Sequence, residues 1–190
     1  MPTNGELEAA GKCDIYAAEL SFCECFHVSS SQLDANDFVE TFERILAETG
    51  CQAEWIAIEL TESMLVSDMG ATVSIFQRLR QLGTRVAIDD FGSGYASLGY
   101  VQHFPFDILK IDRDFIQGID LHSKTATIAS SIIQMAHRLE LCVIAEGVET
   151  EAERDFLVRC NCDVAQGFLY GKPEPPADVV RHFLRSSQVA

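Results

Sequence analysis

Four carboxylates stand out because each lies at or just past the end of a short apolar run. Glu59 belongs to Trp55–Leu60 (WIAIEL), Asp89 and Asp90 follow Arg85–Ile88 (RVAI), and Glu146 follows Cys142–Ala145 (CVIA). Acids gathered in one place repel unless cations neutralise them or some are protonated. Hard oxygen ligands select Mg²⁺ or Mn²⁺, or Ca²⁺ in a looser cage. One or two such ions activate a water and stabilise the leaving oxygen of an in-line displacement at phosphorus. Lys110, inside the apolar run Asp107–Ile111 (DILKI), would then stabilise the developing charge or orient the attacking water. A single acid at a strand end is more simply a helix cap or a solvated loop residue. Acids ending three separate strands, beside a lysine in an apolar strand, fit that bland reading poorly. Asp89-Asp90-Phe91-Gly92-Ser93-Gly94 adds a constraint. Neighbouring residues of a strand point to opposite faces. Both acids can therefore serve one centre only if the strand has just ended, with Gly92 and Gly94 folding the chain back.

These residues need elements to carry them, and β-rich runs alternate with helical periodicity through most of the chain. Expected strands are Phe22–Val28, Trp55–Leu60, Arg85–Ile88, Asp107–Ile111, Cys142–Ala145 and Val164–Phe168. Between them, the expected helical faces carry Phe38, Phe42, Ile45 and Leu46, capped by Asp34 or Asn36 and closed by Gly50; then Val73, Phe76 and Leu79, stopped by Gly83; then Ile128, Ile132, Met135 and Leu139. A Thr150-x-x-Glu153 capping box opens the next helix, and Val179, Val180 and Phe183 mark a last one. Repeated strand–helix units imply a mainly parallel sheet. Neither G-x-G-x-x-G nor G-x4-G-K-[ST] is present. Polar residues instead end most strands: His27, Glu59, Asp89 with Asp90, Lys110 with Asp112, Glu146 and Gln166. An open sheet gathers its ligand groups at one switch point, whereas a barrel collects them around a rim. The spread favours an α/β barrel, short at its front end, because an eight-stranded barrel takes about 250 residues.

The 190 residues carry Lys+Arg 14 against Asp+Glu 29, a formal charge of −15, and 47% are hydrophobic. This suits one domain with a real core and excludes disorder. An acidic chain without a basic run is a poor general binder of DNA or RNA, so an ion must supply any attraction for a phosphate ligand. No apolar run reaches the roughly 18–20 residues of a membrane span. Residues 1–12 lack a signal-peptide pattern, so a cytoplasmic location is expected. The seven cysteines, with C-x-C pairs at Cys23/Cys25 and Cys160/Cys162, fit reduced thiols better than disulfides or a zinc site.

Five segments together resemble the EAL domain family: Glu59-Leu60-Thr61-Glu62-Ser63, Asp89-Asp90-Phe91-Gly92-Ser93-Gly94, Leu109-Lys110-Ile111-Asp112, Ala145-Glu146-Gly147-Val148-Glu149 and Gln166-Gly167-Phe168-Leu169-Tyr170. They match in order and spacing from about Ser21 to Leu184. The resemblance implies a TIM-like (β/α) barrel of the EAL type with about six β/α units, incomplete at its N-terminus. Residues 21–190 would form it, with 1–20 as an atypical leading segment. It further implies hydrolysis of cyclic di-GMP to linear pGpG by water activated by one or two Mg²⁺ or Mn²⁺ ions. Glu59, Asp89 and Glu146 would be metal ligands, with Asp90 at the second metal or its water. Lys110 would contact the water and phosphate. Glu62 would hold the loop after Asp90, which couples to a homodimer interface. Asp112, Glu149 and Gln166 would support the metals and substrate.

The chain departs from the family pattern in two places. No strand bearing the Glu-Ala-Leu motif and its following arginine is found; Glu8-Ala9-Ala10 is only a near-echo. Where the family has an Asn ligand in Val-Asn-Leu-Ser, this chain has Phe26-His27-Val28-Ser29, which makes His27 a candidate ligand. These losses leave two non-catalytic alternatives beside the hydrolase, a cyclic di-GMP receptor and a protein-interaction module. A phospho-acceptor receiver domain fits less well, since its acid pair should end the first strand and here it ends the third.

Overall fold

The computed structural model describes residues 24–33, 37–61, 64, 69–92, 104–119, 123–173 and 175. Six parallel strands form one sheet: β1 (Glu24–His27), β2 (Ile56–Thr61), β3 (Arg85–Phe91), β4 (Ile108–Ile111), β5 (Cys142–Ala145) and β6 (Val164–Ala165). The helices between them are α1 (Ser30–Leu33), α2 (Phe38–Thr49), α3 (Met69–Gln81), α4 (Lys124–Arg138) and α5 (Glu151–Arg159). Strand order follows chain order, β1-β2-β3-β4-β5-β6, with every pairing parallel. A doubly wound sheet reverses direction at a switch point. This sheet never reverses, which is the winding of a (β/α) barrel.

Alternation along the strands sorts the side chains into two layers. Ile58, Leu60, Val86, Ile88, Leu109, Ile111 and Val143 face the helices and join Phe76, Leu79, Ala129 and Ile133 in the larger core. On the other face Ala57, Ala87, Ile108 and Ile144 form a smaller buried cluster, with Cys142 and Val164 packed on it. Two residues beyond each of these four come Glu59, Asp89, Lys110 and Glu146. Period two therefore delivers every one of them to the inner face at the carboxyl end.

The helices follow expectation in place, and Phe38, Phe42, Leu46, Val73, Phe76, Leu79, Ile132 and Met135 pack on the core as expected; the exceptions are Ile45, Ile128 and Leu139. Gly50, in the left-handed region, closes α2, and its N–H reaches the Leu46 carbonyl. Val39 is the buried residue of α2, while Ile45 is exposed. On α4 the face turned to the sheet is Ala126, Ala129, Ile133 and Ala136, leaving Ile128 and Leu139 exposed. A stripe of alanines brings the helix close to the strands, so Ile132 and Met135 pack beside it while Ile128 and Leu139 stay outside. Asp37, not Asp34 or Asn36, begins α2, without a side-chain cap bond. The latter two lie outside the described residues, as do Met1–Cys23 and the expected last helix with Val179, Val180 and Phe183. Among the described residues, no helix is long and apolar enough to cross a membrane.

Aspartates tie the starts of the strands together. Asp107, just before β4, accepts from the Val86 N–H at 3.0 Å and pairs with Arg80. Asp163, just before β6, accepts from the Val143 N–H at 2.8 Å and meets His137 Nε2 at 2.9 Å. Phe76 of α3 packs against Phe104 and Phe106 ahead of β4, with ring centroids 5.7 and 6.0 Å apart. Asp163→Ala leaves a buried strand N–H without its acceptor and should lower unfolding stability by about 1–3 kcal/mol. A fall in the urea midpoint at constant slope is the expected reading.

Candidate active site

The carboxyl ends of β2, β3, β4 and β5 meet around one ammonium. Lys110 Nζ lies 2.7 Å from Glu59 Oε1, 3.2 Å from Asp89 Oδ1 and 2.6 Å from Glu146 Oε1. Glu59, Asp89 and Lys110 are buried, and Glu146 is partly open to solvent. Burial by itself would lower the lysine pKa. The contacts with Glu146 and Glu59, and the charges of Glu146 and Asp89, outweigh that and hold it above the ordinary lysine value. One ammonium cannot balance three acids. By distance the Glu59 contact is an ion pair, yet the approach leaves Glu59 Oε1, like Asp89 Oδ1, without an aligned hydrogen bond. Burial raises the Glu146 carboxyl, and the bond from Lys110 only partly offsets this. Two carboxylates about 4 Å apart at an effective dielectric of about 20 repel by about 4 kcal/mol. The pocket is thus short of positive charge.

Asp90 corrects the expectation about strand ends. The strand does not stop at Ile88 but runs through Phe91, and the register with β4 shifts between Ile88 and Phe91. Asp90 sits in this bulge at φ 54°. The bulge, rather than the end of the strand, turns two adjacent acids towards one place. Burial and the neighbouring charges of Asp89 and Asp112 raise the Asp90 carboxyl. Two groups of donor atoms lie within 4.8 Å of one another, His27 with Glu59 and Asp89, and Asp89 with Asp90 and Glu146. His27 reaches Glu59 Oε2 with Nε2 at 3.0 Å and Asp89 Oδ2 with Nδ1 at 3.4 Å, while 65% of its side chain stays exposed. The imidazole therefore caps the open side of the cluster.

The loops beyond the strands lock together by close backbone approach. Gly147, directly after Glu146, has φ 71°, and an added Cβ would overlap the Cβ of Arg113 in the loop after β4. At Gly167 an added Cβ would run into the backbone of Val148. Val148 N–H donates to the Gln166 carbonyl and Leu169 N–H to the Val148 carbonyl, both at 3.0 Å. This packing ends β6 at Ala165, so Gly167–Tyr170 form a turn where a strand to Phe168 was expected.

Asp112, Glu149 and Gln166 are not in the cluster itself. Asp112 accepts from the Asp114 N–H at 2.7 Å and caps the 3₁₀ turn Arg113–Phe115. Glu149 is exposed and accepts from Gln117 Nε2 at 3.1 Å. Gln166 is exposed beside the Val148 loop. Glu62 and the residues after Gly92 lie outside the described residues. The capping box at Glu153 forms as expected, and its carboxylate also accepts from the Gly118 N–H of another loop at 2.8 Å. The box pattern hints at the first role and carries no trace of the second.

The profile of the family described as EAL domain matches residues 12–173. The chain belongs to the EAL domain family. Cyclic di-GMP phosphodiesterase NbdA of Pseudomonas aeruginosa is 40% identical over 157 residues, 83% of this chain and 20% of that protein. The chain thus spans about a fifth of the length of such relatives. Among solved structures, the PaMucR phosphodiesterase in complex with c-di-GMP superposes with a TM-score of 0.79 at 35% identity, covering 92% of this chain and 78% of that one. The manganese/cy-diGMP complex of BlrP1 from Klebsiella pneumoniae gives 0.72 at 26% identity, covering 88% and 43%. Similarity to EAL structures agrees with the TIM-like barrel that the winding of the sheet indicates.

The Lys110 arrangement in this EAL domain fixes a pH signature. A folded-state pKa above the unfolded one gives stability that is fully present below about 10.4 and fades as pH rises through the higher folded value. Urea titrations between pH 9 and 12 should show this alkaline loss in the wild type. Lys110→Met should flatten that limb while lowering stability at neutral pH by about 3–5 kcal/mol, because the acids lose their buried partner.

Proposed function

We propose that the chain is the phosphodiesterase unit of a cyclic di-GMP signalling protein, hydrolysing the cyclic dinucleotide to linear pGpG with Mg²⁺ or Mn²⁺. The observation that carries this reading is the charge-deficient cluster of Glu59, Asp89 and Glu146 around Lys110, with two buried oxygens lacking aligned hydrogen bonds. Hard oxygen donors short of positive charge suit a divalent cation. Glu59, Asp89, Asp90 and Glu146, with His27 as the nitrogen donor, are the residues that would hold one or two ions. Asp89 belongs to both donor groups and would be shared. A bound divalent ion supplies Lewis acidity towards the phosphodiester and makes water a stronger nucleophile. The BlrP1 complex with manganese supports that choice of ion.

The chain's own groups then have distinct tasks. Lys110 stays protonated, so it donates hydrogen bonds to the attacking water or a phosphoryl oxygen and stabilises developing negative charge. Glu146 and Asp90, only partly buried beside Lys110 and Asp89, are the carboxylates placed to accept the proton of the attacking water. Water adds to phosphorus, the P–O3′ bond breaks, and the O3′ leaves with a proton. Glu62, Glu149 and Gln166 would support the metals and substrate, and the loop after Asp90 would couple the site to a second copy of the chain.

His27 favours a second reading. Its imidazole already occupies Glu59 and Asp89 on the open side, and nitrogen suits Mn²⁺ better than Mg²⁺. A cluster filled in this way fits a receptor that binds cyclic di-GMP without turnover. Product analysis with purified protein and either ion separates the two: pGpG supports the hydrolase, whereas calorimetric binding with no pGpG supports the receptor. For the hydrolase, Glu59→Ala or Asp89→Ala should lower turnover at least 100-fold, and Cys160→Ser should leave it within about twofold. Saturation with Mn²⁺ at about 100 times its Kd should add about 2.7 kcal/mol of stability, and Asp89→Ala should remove that gain.

A further inference from the structure

We propose that Glu153 is a positioning residue of the active site, clamping the loop after β4 to the loop after β5 so that Lys110 and Glu146 remain paired. This rests on the phosphodiesterase reading above. A capping box asks for two reciprocal bonds, and both are present: Glu153 N–H to Thr150 Oγ1 at 3.3 Å and Thr150 N–H to Glu153 Oε2 at 2.9 Å. The carboxylate goes further. Oε2 also accepts from the Glu149 N–H at 2.8 Å, and Oε1 accepts from the Gly118 N–H at 2.8 Å, 35 residues away in the chain. Glu153 is 4% exposed, which a surface cap does not require. Burial alone would raise its carboxyl, but the N–H groups of Glu149, Gly118 and Thr150 hold it below the ordinary range, so it remains ionised.

The two clamped loops are those that leave the catalytic strands. Gly118 closes the turn that begins at Asp112, two residues after Lys110. Glu149 and Thr150 follow Glu146 by three and four residues. Contact between Arg113 and Gly147 joins the same loops nearer the site. The Glu149–Gln117 bond does so on the surface. Of these links, Glu153 alone brings a charge that engages the backbone of both loops. Charge-assisted bonds to N–H groups are about twice as strong as neutral ones.

Glu153→Gln separates the clamp from the cap. Glutamine serves a capping box as well as glutamate does. It has one acceptor oxygen, though, so when that oxygen keeps the Thr150 side, the amide NH₂ faces the Gly118 N–H. In the full chain with Mn²⁺, Glu153→Gln should lower kcat by about 10–100-fold, the scale of a misplaced catalytic group, with KM for cyclic di-GMP within about threefold. Hydrogen exchange at the Gly118 amide should quicken while α5 stays protected. Thr150→Ala removes the other half of the box, and should cost a few degrees of thermal midpoint with kcat near wild type. The proposal is overturned if Glu153→Gln leaves either kcat or Gly118 exchange unchanged, or if Thr150→Ala lowers kcat equally. Absence of pGpG from the wild type would instead defeat the hydrolase reading. Crystal structures of the two forms would then decide the clamp, since the Lys110–Glu146 contact of 2.6 Å must open in Glu153→Gln and its persistence would refute the proposal.

Discussion

The Lys110 ammonium is the one charge on which the inner rim depends. Three strands deliver carboxylates to it, and the fourth strand carries the lysine itself. In water such a grouping would disperse. Here the acids are fixed by their strands and cannot separate, so their repulsion appears as demand for positive charge. Lys110 meets part of that demand and cannot meet all of it, as the unaligned oxygens of Glu59 and Asp89 attest. A barrel rim can maintain this imbalance because its backbone is already secured by sheet bonds and by a core on the helix side that owes nothing to the rim. Folding energy and site chemistry are thereby kept on opposite faces of the same strands.

The inner face illustrates how economical the arrangement is. Ala57, Ala87, Ile108 and Ile144 close the floor, and a step of two residues takes each strand from that floor to a charged group. Above this layer the loops are joined in sequence, Arg113 against Gly147 and Val148 against Gly167. Glycine occurs there because the Arg113 side chain at Gly147 and the Val148 backbone at Gly167 take the space of a Cβ, so those positions serve the fit between loops.

What could be read in the sequence was whatever repeats with a fixed period or sits in a contiguous motif. The strand alternation, the acids at strand ends and the Thr150-x-x-Glu153 box all belong to that class. What could not be read depends on neighbours remote in the chain. Hydrophobic bulk pointed to Ile128 and Leu139 as the inner side of α4, yet close approach to the sheet selected alanines. The extent of β6 was set by Gly167 meeting Val148, which no local preference encodes. The bulge at Asp90 needs register information from β4. His27 was legible as a candidate, but its contact with both Glu59 and Asp89 follows from the pairing of β1 with β2, which brings His27 opposite Glu59. The Gly118 bond of Glu153 spans 35 residues and lies beyond any motif.

On the phosphodiesterase reading, the same cluster would reconcile the acidity of the chain with an anionic dinucleotide substrate. With a formal charge of −15, the protein's field opposes a phosphodiester at long range. Salt screens that field over about 8–10 Å, whereas attraction at contact is decided by charges within a few ångströms. A divalent ion held at the rim would reverse the local sign without changing the rest of the surface. Ligand affinity would thereby become conditional on the ion, since the uncompensated acids would otherwise face the phosphates directly. On that reading, the surplus of carboxylates that looks unfavourable in the isolated chain would make the pocket select first a cation and then an anion.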